Sequence, residues 1–257
     1  MIDRDYWLYL HFREGRSSEI TCPTCGTGKI NILGKFESHQ TKNTIELQRQ
    51  EYCDFMKLND KFSGLLKCDN EYCNDVVAVC GNAFPEPECD IDEGNRQKYY
   101  KCFQPEFFSP SLKIFPLKNE YPARVKEILE KSFSLFLVDC DSCGNKIRIS
   151  IEALLDELGI EKENPKNDKT YNLHQRIEKY QKINANLGEL MLSIKWIGNY
   201  GSHDDSISKS DLLDAYEMIN YILDDIYDNH AKKISELAKT INENKRPASK
   251  IIKPNNY

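Results

Sequence analysis

Residues 22–26 read CPTCG and residues 68–73 read CDNEYC, and these two stretches decide the predicted fold of the first half of the chain. In the first, cysteines separated by two residues can direct both thiolates at one ion, and the glycine after them permits the left-handed backbone of such a knuckle. The wider cysteine spacing of the second still falls within the range of structural zinc sites. Short apolar runs at 29–33 and 76–80 predict a strand after each knuckle, as in a zinc ribbon.

The cysteine pattern predicts one structural zinc ion per chain, bound by Cys22, Cys25, Cys68 and Cys73. The chain has ten cysteines and begins MIDRDYWLYL, which lacks the basic start and apolar core of a signal peptide. We therefore expect a cytoplasmic protein, in which tight cysteine pairs indicate metal rather than disulfide. A catalytic zinc site would include a histidine or carboxylate and an open position. The alternatives are Cys53 as a replacement ligand, or a set of buried free cysteines.

A third pair, Cys140 and Cys143, has the same two-residue spacing. A second metal site would need the isolated Cys89 and Cys102. The favoured interpretation is a turn between helices in which a polar residue between the two cysteines caps the next helix. A redox motif would need a βαβ context that the following sequence lacks.

From Pro122 onward the apolar residues recur at helical spacing, which predicts an antiparallel helical bundle. The predicted helices begin at Pro122, run from about 142 to 158 with Gly159 as a stop, cover 173–180, run from 187 to a stop at Gly198, and start at the N-cap pair Ser210–Asp211, fading towards Ile241. The predicted fold class is α+β, with a small N-terminal zinc-ribbon-like β module at 1–118, a helical bundle at 119–245 and a flexible tail at 246–257. Within the β module, residues 86–93 are predicted to form an acidic loop that links strands.

Composition narrows the classes of function. The chain has 257 residues, of which 40% are hydrophobic and 30% charged, so it can bury a core. Its longest apolar run is too short to cross a bilayer, and no membrane partner is expected. The net charge of −6 argues against a generally basic nucleic-acid coat. Nucleic acid is a possible partner through local patches, such as the interleaved basic and aromatic residues at 35–67.

Residues 196–203 read WIGNYGSH and lie between the two strongest predicted helices. Two glycines, Asn199 and His203 make a tight polar corner beside an apolar core. A structural role is the first interpretation, because His203 can bind backbone groups and Asn199 can form a left-handed turn. Binding of a ligand or partner, and catalysis, are the alternatives.

The pattern I-G-N-x-x-x-H at 197–203, between two amphipathic helices, resembles a helical domain of unknown function found in restriction-type and other prokaryotic defence proteins. That domain belongs to the wider HEPN group of helical bundles, and the resemblance covers about 122–228. In stand-alone members a cysteine-knuckle module often precedes the domain. The resemblance implies a HEPN-like bundle that offers a dimer or partner surface.

If the chain is like the HEPN ribonucleases, the resemblance implies a composite site at a dimer interface, where RNA is cut without metal. There a histidine handles a proton, and an arginine stabilises the charge that builds on the phosphate. The HEPN motif is an arginine, a polar residue, three to five further residues and a histidine. Asn199 and His203 match the polar residue and the histidine of that motif and are the candidate catalytic residues. Gly198 stands five residues before the histidine, and the nearest upstream cation is Lys195, so the usual arginine is missing.

The expected function is that of a zinc-binding, non-catalytic binding or adaptor protein associated with prokaryotic antiviral defence or restriction. It would act as a homodimer or with a partner protein. The alternative is a HEPN-type, metal-independent endoribonuclease or toxin that uses His203. Enzyme activity is therefore left open at this stage.

Overall fold

The computed structural model of the protein describes residues 2–13, 19–91, 97–163, 169–200, 206–227 and 230–247. It shows a mixed α+β fold with an antiparallel sheet in the first half of the chain and helices in the second, as the sequence predicts. The predicted tail lies outside the described residues from 248 onward. In chain order the elements are α1 (Arg4–Leu8), β1 (Phe12–Arg13), β2 (Ile30–Ile32), β3 (Glu37–His39), α2 (Lys42–Gln48), a 3-10 turn (Phe55–Lys57), β4 (Asp60–Cys68), β5 (Val76–Ile91), β6 (Gln97–Ser109), α3 (Ala123–Leu135), α4 (Cys140–Glu157), α5 (Leu173–Gln181), α6 (Ala185–Tyr200), α7 (Lys209–Tyr227) and α8 (His230–Asn244).

The sheet has the strand order β1-β6-β5-β4-β2, and β3 also pairs with β4. Both strands expected after the knuckles are present, as β2 and as the start of β5. In β4, Phe62, Leu66 and Cys68 are buried while Ser63, between them, is exposed, as expected for side chains that alternate between the faces of a strand. This alternation places the Cys68 thiol on the buried face at the end of β4.

The region predicted as an acidic loop at 86–93 belongs largely to a strand instead. β5 extends to Ile91 and pairs with β6, with Pro85 opposite Lys101 and an irregularity after Pro87. The pairing of β5 with β4 ends at Ala83. Beyond that residue β5 has one strand neighbour. The backbone N–H that proline lacks is therefore not needed on the open side.

The short helix α1 packs on the helical half of the chain. The Trp7 ring lies 5.8 Å from the Phe136 ring, nearly perpendicular to it. Arg4 donates to Asp214 Oδ1 over 2.6 Å and to the Ser210 carbonyl over 3.1 Å. Buried apolar side chains form one continuous cluster from Ile2 through the sheet to the helices. The domain boundary near residue 118 stays a prediction. The first residues of the chain pack against the helices that follow this boundary.

The helix α6 does not end at Gly198, as the sequence had predicted, but continues to Tyr200. A Cβ atom on Gly198 would lie 2.8 Å from the Gly144 carbonyl oxygen and 2.6 Å from Arg148 Cβ. Gly198 therefore lets α6 approach α4 closely, which is a packing role rather than a stop. Asn199 is consequently helical and half-buried, and it forms no left-handed turn.

Two other helix boundaries differ from the prediction, whereas the stop of α4 is confirmed. Gly159 has φ +70° and follows the end of α4, as expected for a C-terminal glycine. Ser208, not Ser210, caps α7: the Asp211 N–H donates to Ser208 Oγ over 3.2 Å, and the Ser208 N–H donates to Asp211 Oδ2 over 2.9 Å. The last predicted helix is two helices, α7 and α8. Within the described ranges, no helix is long and apolar enough to cross a membrane.

Candidate metal centre

The first knuckle is a tight turn that ends before β2. Gly26 has φ +69°, which only glycine adopts without strain, and its N–H donates to the Cys22 carbonyl over 2.9 Å. The Cys22 N–H in turn donates to the Gly28 carbonyl over 2.8 Å. These bonds fold residues 22–28 so that Cys22 and Cys25 face the same side.

The second knuckle connects β4 to β5 and is organised by Asn70. Its carbonyl accepts the N–H groups of Cys73 at 2.9 Å and Asn74 at 3.0 Å, and its side-chain oxygen accepts the Tyr72 N–H at 3.0 Å. Asn74 has φ +50°, a left-handed conformation that asparagine tolerates better than most residues. This turn brings Cys73 back beside Cys68.

Backbone and side-chain hydrogen bonds join the two knuckles directly. The Lys29 N–H donates to Asp69 Oδ1 over 2.7 Å, and the Asp69 N–H donates to the Lys29 carbonyl over 2.9 Å. The Thr24 hydroxyl donates to Asp75, and this bond together with the Val76 N–H lowers the pKa of the Asp75 carboxyl. The two loops are thus held in register by bonds independent of any ion.

The four predicted thiols meet at the junction of the knuckles, and they could hold a metal ion. Cys22 Sγ lies 3.9 Å from Cys73 Sγ, and Cys25 Sγ lies 3.7 Å from Cys68 Sγ. All four sulfur atoms lie within 4.8 Å of one another. A tetrahedral ion with metal–sulfur bonds of about 2.3 Å would place its ligands about 3.8 Å apart. The separations are far longer than a disulfide bond, and Cys53 is not part of the cluster.

Hydrogen bonds to sulfur give the cluster an uneven electrostatic character. The Thr27 hydroxyl donates to Cys25 Sγ over 3.5 Å and the Gly28 N–H over 3.3 Å, and these bonds lower the pKa of Cys25 to about 5. Burial raises the pKa of Cys68 to about 12, although the Asn70 N–H donates to its sulfur over 3.4 Å. Because metals bind thiolates, metal binding has to displace the thiol protons of the cluster, including that of Cys68.

Gly28 is a functional position that the sequence reasoning missed. A Cβ atom there would lie 2.5 Å from Cys68 Sγ and 2.9 Å from Asn70 Cβ. Only glycine leaves room for the second knuckle to close on the first. The signal was present in the sequence, since the first knuckle continues as Gly-Thr-Gly after Cys25.

The third pair, Cys140 and Cys143, lies inside the first turn of α4, and the helix is capped by Asp139 instead of by a residue between the two cysteines. Cys143 Sγ is buried, 3.1 Å from Tyr216 Oη, and burial raises its pKa to about 12. These thiols pack the helices together. Neither belongs to the groups of potential metal ligands found in the described part of the chain.

A separate group consists of His11, Glu86 and Cys102, and it too was not anticipated. The Cys102 thiol donates to Glu86 Oε2 over 2.7 Å, and Arg13 lies 3.9 Å from the same oxygen. That carboxylate is therefore already shared between a thiol and a guanidinium group. The side chain of Cys89, the other proposed ligand of a second site, lies outside the described part.

The other candidate site, at Asn199 and His203, is described only in part, because His203 lies outside the described residues. Near Asn199, the side chains of Trp196 and Tyr200 are 56% and 53% exposed on α6. An arginine of another helix also packs here: the Cβ and Cγ atoms of Arg148, on α4, lie against Gly198. Sequence spacing could not reveal this contact.

The guanidinium of Arg148 is already engaged within its own helix. It donates to Glu152 Oε1 over 2.6 Å and to Asn145 Oδ1 over 3.0 Å, and the side chain is 24% exposed. These bonds hold the guanidinium along α4 itself, while the aliphatic part of the side chain packs against α6 at Gly198.

Two family models match the chain, one on each side of the predicted boundary near residue 118. Residues 10–108 match a domain of unknown function (DUF8608), and residues 130–244 match another domain of unknown function (DUF4145). No curated protein and no solved structure matches the chain. Each family match covers less than half of the chain and names no activity, so the function has to be argued from the site.

The variant Gly28→Ala tests the geometry of the cluster. The added methyl group collides with Cys68 Sγ, and we expect metal affinity to fall by about tenfold to a hundredfold, measured by competition with a chromophoric chelator. Gly26→Ala is the matched control, because nothing lies within 4 Å of its Cβ position. It should lose about 1–2 kcal/mol of stability through its left-handed backbone and keep its metal. Unchanged affinity in Gly28→Ala would contradict the geometry.

Proposed function

We propose that Cys22, Cys25, Cys68 and Cys73 bind one structural zinc ion per chain in a zinc-ribbon-like module. The observation that carries this proposal is the pair of sulfur separations, 3.7 and 3.9 Å, which match the edges of a tetrahedral four-thiolate site. Four protein ligands leave no open position for a substrate, so the role is structural. Zinc and iron both accept such a ligand set, and elemental analysis separates them.

The protein itself is proposed to be a non-catalytic binding or adaptor protein associated with prokaryotic antiviral defence or restriction. Support comes from the resemblance of residues 122–228 to the HEPN-like helical domain of defence proteins. The guanidinium of Arg148 is bonded to Glu152 and Asn145 of its own helix, which also favours a structural role for the I-G-N-x-x-x-H pattern. In this proposal the zinc module supplies rigidity or recognition, and the bundle supplies the contact surface.

The contact surface is proposed to lie at the end of α6 and to form a homodimer or receive a partner protein. Trp196 and Tyr200 leave large aromatic surfaces exposed at the I-G-N-x-x-x-H pattern. The Lys195 ammonium lies 3.5 Å above the centre of the Trp196 ring. Aromatic side chains are enriched at protein interfaces, where burial of their area drives association.

Metal content is the first prediction of this proposal. The purified protein should contain one zinc per chain by elemental analysis, and Cys68→Ser should reduce that content to near zero. The control Cys80→Ser changes an exposed thiol outside the cluster and should keep the ion. Chelation should lower the unfolding temperature of the sheet region more than that of the helices. Wild-type protein without zinc, or a Cys68→Ser protein that retains it, would sink the proposal.

Oligomeric state is the second prediction. A homodimer of the 29.9 kDa chain should sediment at twice that mass. Trp196→Glu should shift the protein to monomer, because it places a charge in an aromatic contact. Tyr52→Glu is the matched control, since Tyr52 is 88% exposed and lies in the sheet half. A wild-type monomer, or a dimer indifferent to Trp196→Glu, would contradict the homodimer.

A metal-independent endoribonuclease is the second candidate function. It is favoured by one observation: the Cβ and Cγ atoms of Arg148 pack against Gly198, which brings an arginine of α4 next to a motif that lacks one. His203 would act as acid or base, and the arginine would stabilise charge on the phosphate.

An RNA-cleavage assay without added divalent cations, which leaves the proposed structural zinc in place, separates the two candidates. The adaptor proposal predicts no cleavage by wild type. The ribonuclease candidate predicts cleavage that His203→Ala and Arg148→Ala each reduce by at least about a hundredfold. Arg124→Ala, which removes an exposed arginine from α3, serves as the control and should leave any cleavage unchanged. Cleavage that requires His203 would overturn the adaptor proposal.

A further inference from the structure

A cavity of about 280 Å³ lies between the sheet and the segment that joins the two knuckles. Phe55, from the 3-10 turn, and Asp60, at the start of β4, form one side. Tyr99, Tyr100 and Lys101 of β6 form another. None of the four cluster cysteines lines it, so its occupancy can be tested separately from the metal centre. Its size suits one planar ring system, because pockets for drug-sized ligands begin at about 300 Å³.

Asp60 gives this cavity a polar anchor with unused capacity. Its Oδ1 atom is buried and has no hydrogen-bond partner, whereas Oδ2 lies 3.6 Å from Lys101 Nζ. Asp60 lines the cavity and its side chain is 18% exposed, so the carboxyl group forms part of the cavity wall. An acceptor without a partner costs free energy. Because rotation of the carboxyl group exchanges its two oxygen atoms, a ligand that donates a hydrogen bond to Asp60 removes that cost.

Phe55 and Tyr99 provide an aromatic platform at the same cavity. Their ring centroids lie 6.2 Å apart with planes inclined by 27°. The residues are 57% and 48% exposed, which is unusual for stacked aromatic side chains. The gap is too narrow to admit a third ring between them. A planar ligand would therefore stack along the exposed face of the pair, as bases do on aromatic side chains.

The charges at the cavity favour a neutral ligand. Lys101 offsets the charge of Asp60 and also donates to Ser38 Oγ, so the wall presents an acceptor beside a cation. An organic cation would be repelled by Lys101, and an anion would be repelled by Asp60. A planar, uncharged ring with a donor next to an acceptor complements both groups.

We propose that this cavity binds a nucleobase that carries an exocyclic amino group. The carboxylate is recessed, so the group that reaches it has to protrude from the ring and donate. The amino groups of cytosine, adenine and guanine meet both conditions, whereas the protruding groups of uracil and thymine are carbonyl oxygens. The base comes either from a free nucleotide or from single-stranded nucleic acid. Phe55 belongs to the segment with interleaved basic and aromatic residues.

Calorimetric titration of the full-length protein with CMP and UMP tests the proposal. CMP should bind at least about tenfold more tightly than UMP. Asp60→Asn should abolish that preference, because an amide presents either a donor or an acceptor. Glu46→Gln, which removes a charge from an exposed position on α2, is the control and should leave the preference intact.

The aromatic platform is tested with the same ligands. Tyr99→Ala should weaken CMP binding by about tenfold, in line with measured stacking contributions, while Tyr99→Phe should keep it. Tyr221→Ala, which removes a half-exposed tyrosine from α7, should have no effect. These variants keep the proposal testable if Asp60→Asn fails to fold.

Short oligonucleotides identify the source of the base. Binding of (dC)6 that is far tighter than binding of CMP supports single-stranded nucleic acid, and comparable affinities support a free nucleotide. Absence of binding by both CMP and (dC)6 would overturn the proposal. Equal binding of cytosine and uracil ligands, or a Tyr99→Ala variant that binds as wild type does, would overturn it too.

Discussion

The convergence of four thiols at the end of β4 is the constraint on which the sheet half depends. Cys25 and Cys68 lie 43 positions apart in sequence, yet their sulfur atoms are 3.7 Å apart. Everything between them, including β2, β3, α2 and β4, is closed into one loop. An ion bound at this point would remove much of the loop's conformational freedom in the unfolded chain, which is why a structural metal stabilises small modules with modest cores.

The cluster lies where the register of the sheet is fixed at one end. Ile30, at the start of β2, pairs with Cys68, the last residue of β4. The bonds between Lys29 and Asp69 lie at the same end. Gly28 lies at the closest approach of the two knuckles, so one absent side chain decides whether they can close. The cavity beside Asp60 lies at the other end of β4, which connects the two proposed sites through one strand.

Local chemistry predicted the parts of the fold that depend on short-range spacing. The cluster of four cysteines followed from cysteine spacing, and the helices followed from apolar periodicity. The β5–β6 hairpin was missed because prolines and acidic residues at 86–93 are typical of loops. β5 tolerates Pro85 because β4 pairs with β5 only as far as Ala83. That limit is a feature of the tertiary structure. The stop assigned to Gly198 was wrong for a similar reason, since that glycine serves the contact with α4.

The features that sequence could not reveal all join residues distant in the chain. The short helix α1 depends on Trp7 reaching Phe136, and five residues have too few hydrogen bonds to form a helix alone. Arg148 packs against Gly198 from another helix. Asp60 lies beside Tyr99 and Lys101 only once the sheet has formed. Such juxtapositions follow from topology, which spacing within one segment does not encode.

X-ray absorption at the zinc edge of the purified protein measures which atoms bind the proposed ion. A four-thiolate centre gives a single shell of four sulfur atoms at about 2.3 Å from zinc. A shell that contains nitrogen or oxygen ligands at about 2.0 Å, or fewer than four sulfur atoms, would contradict that centre.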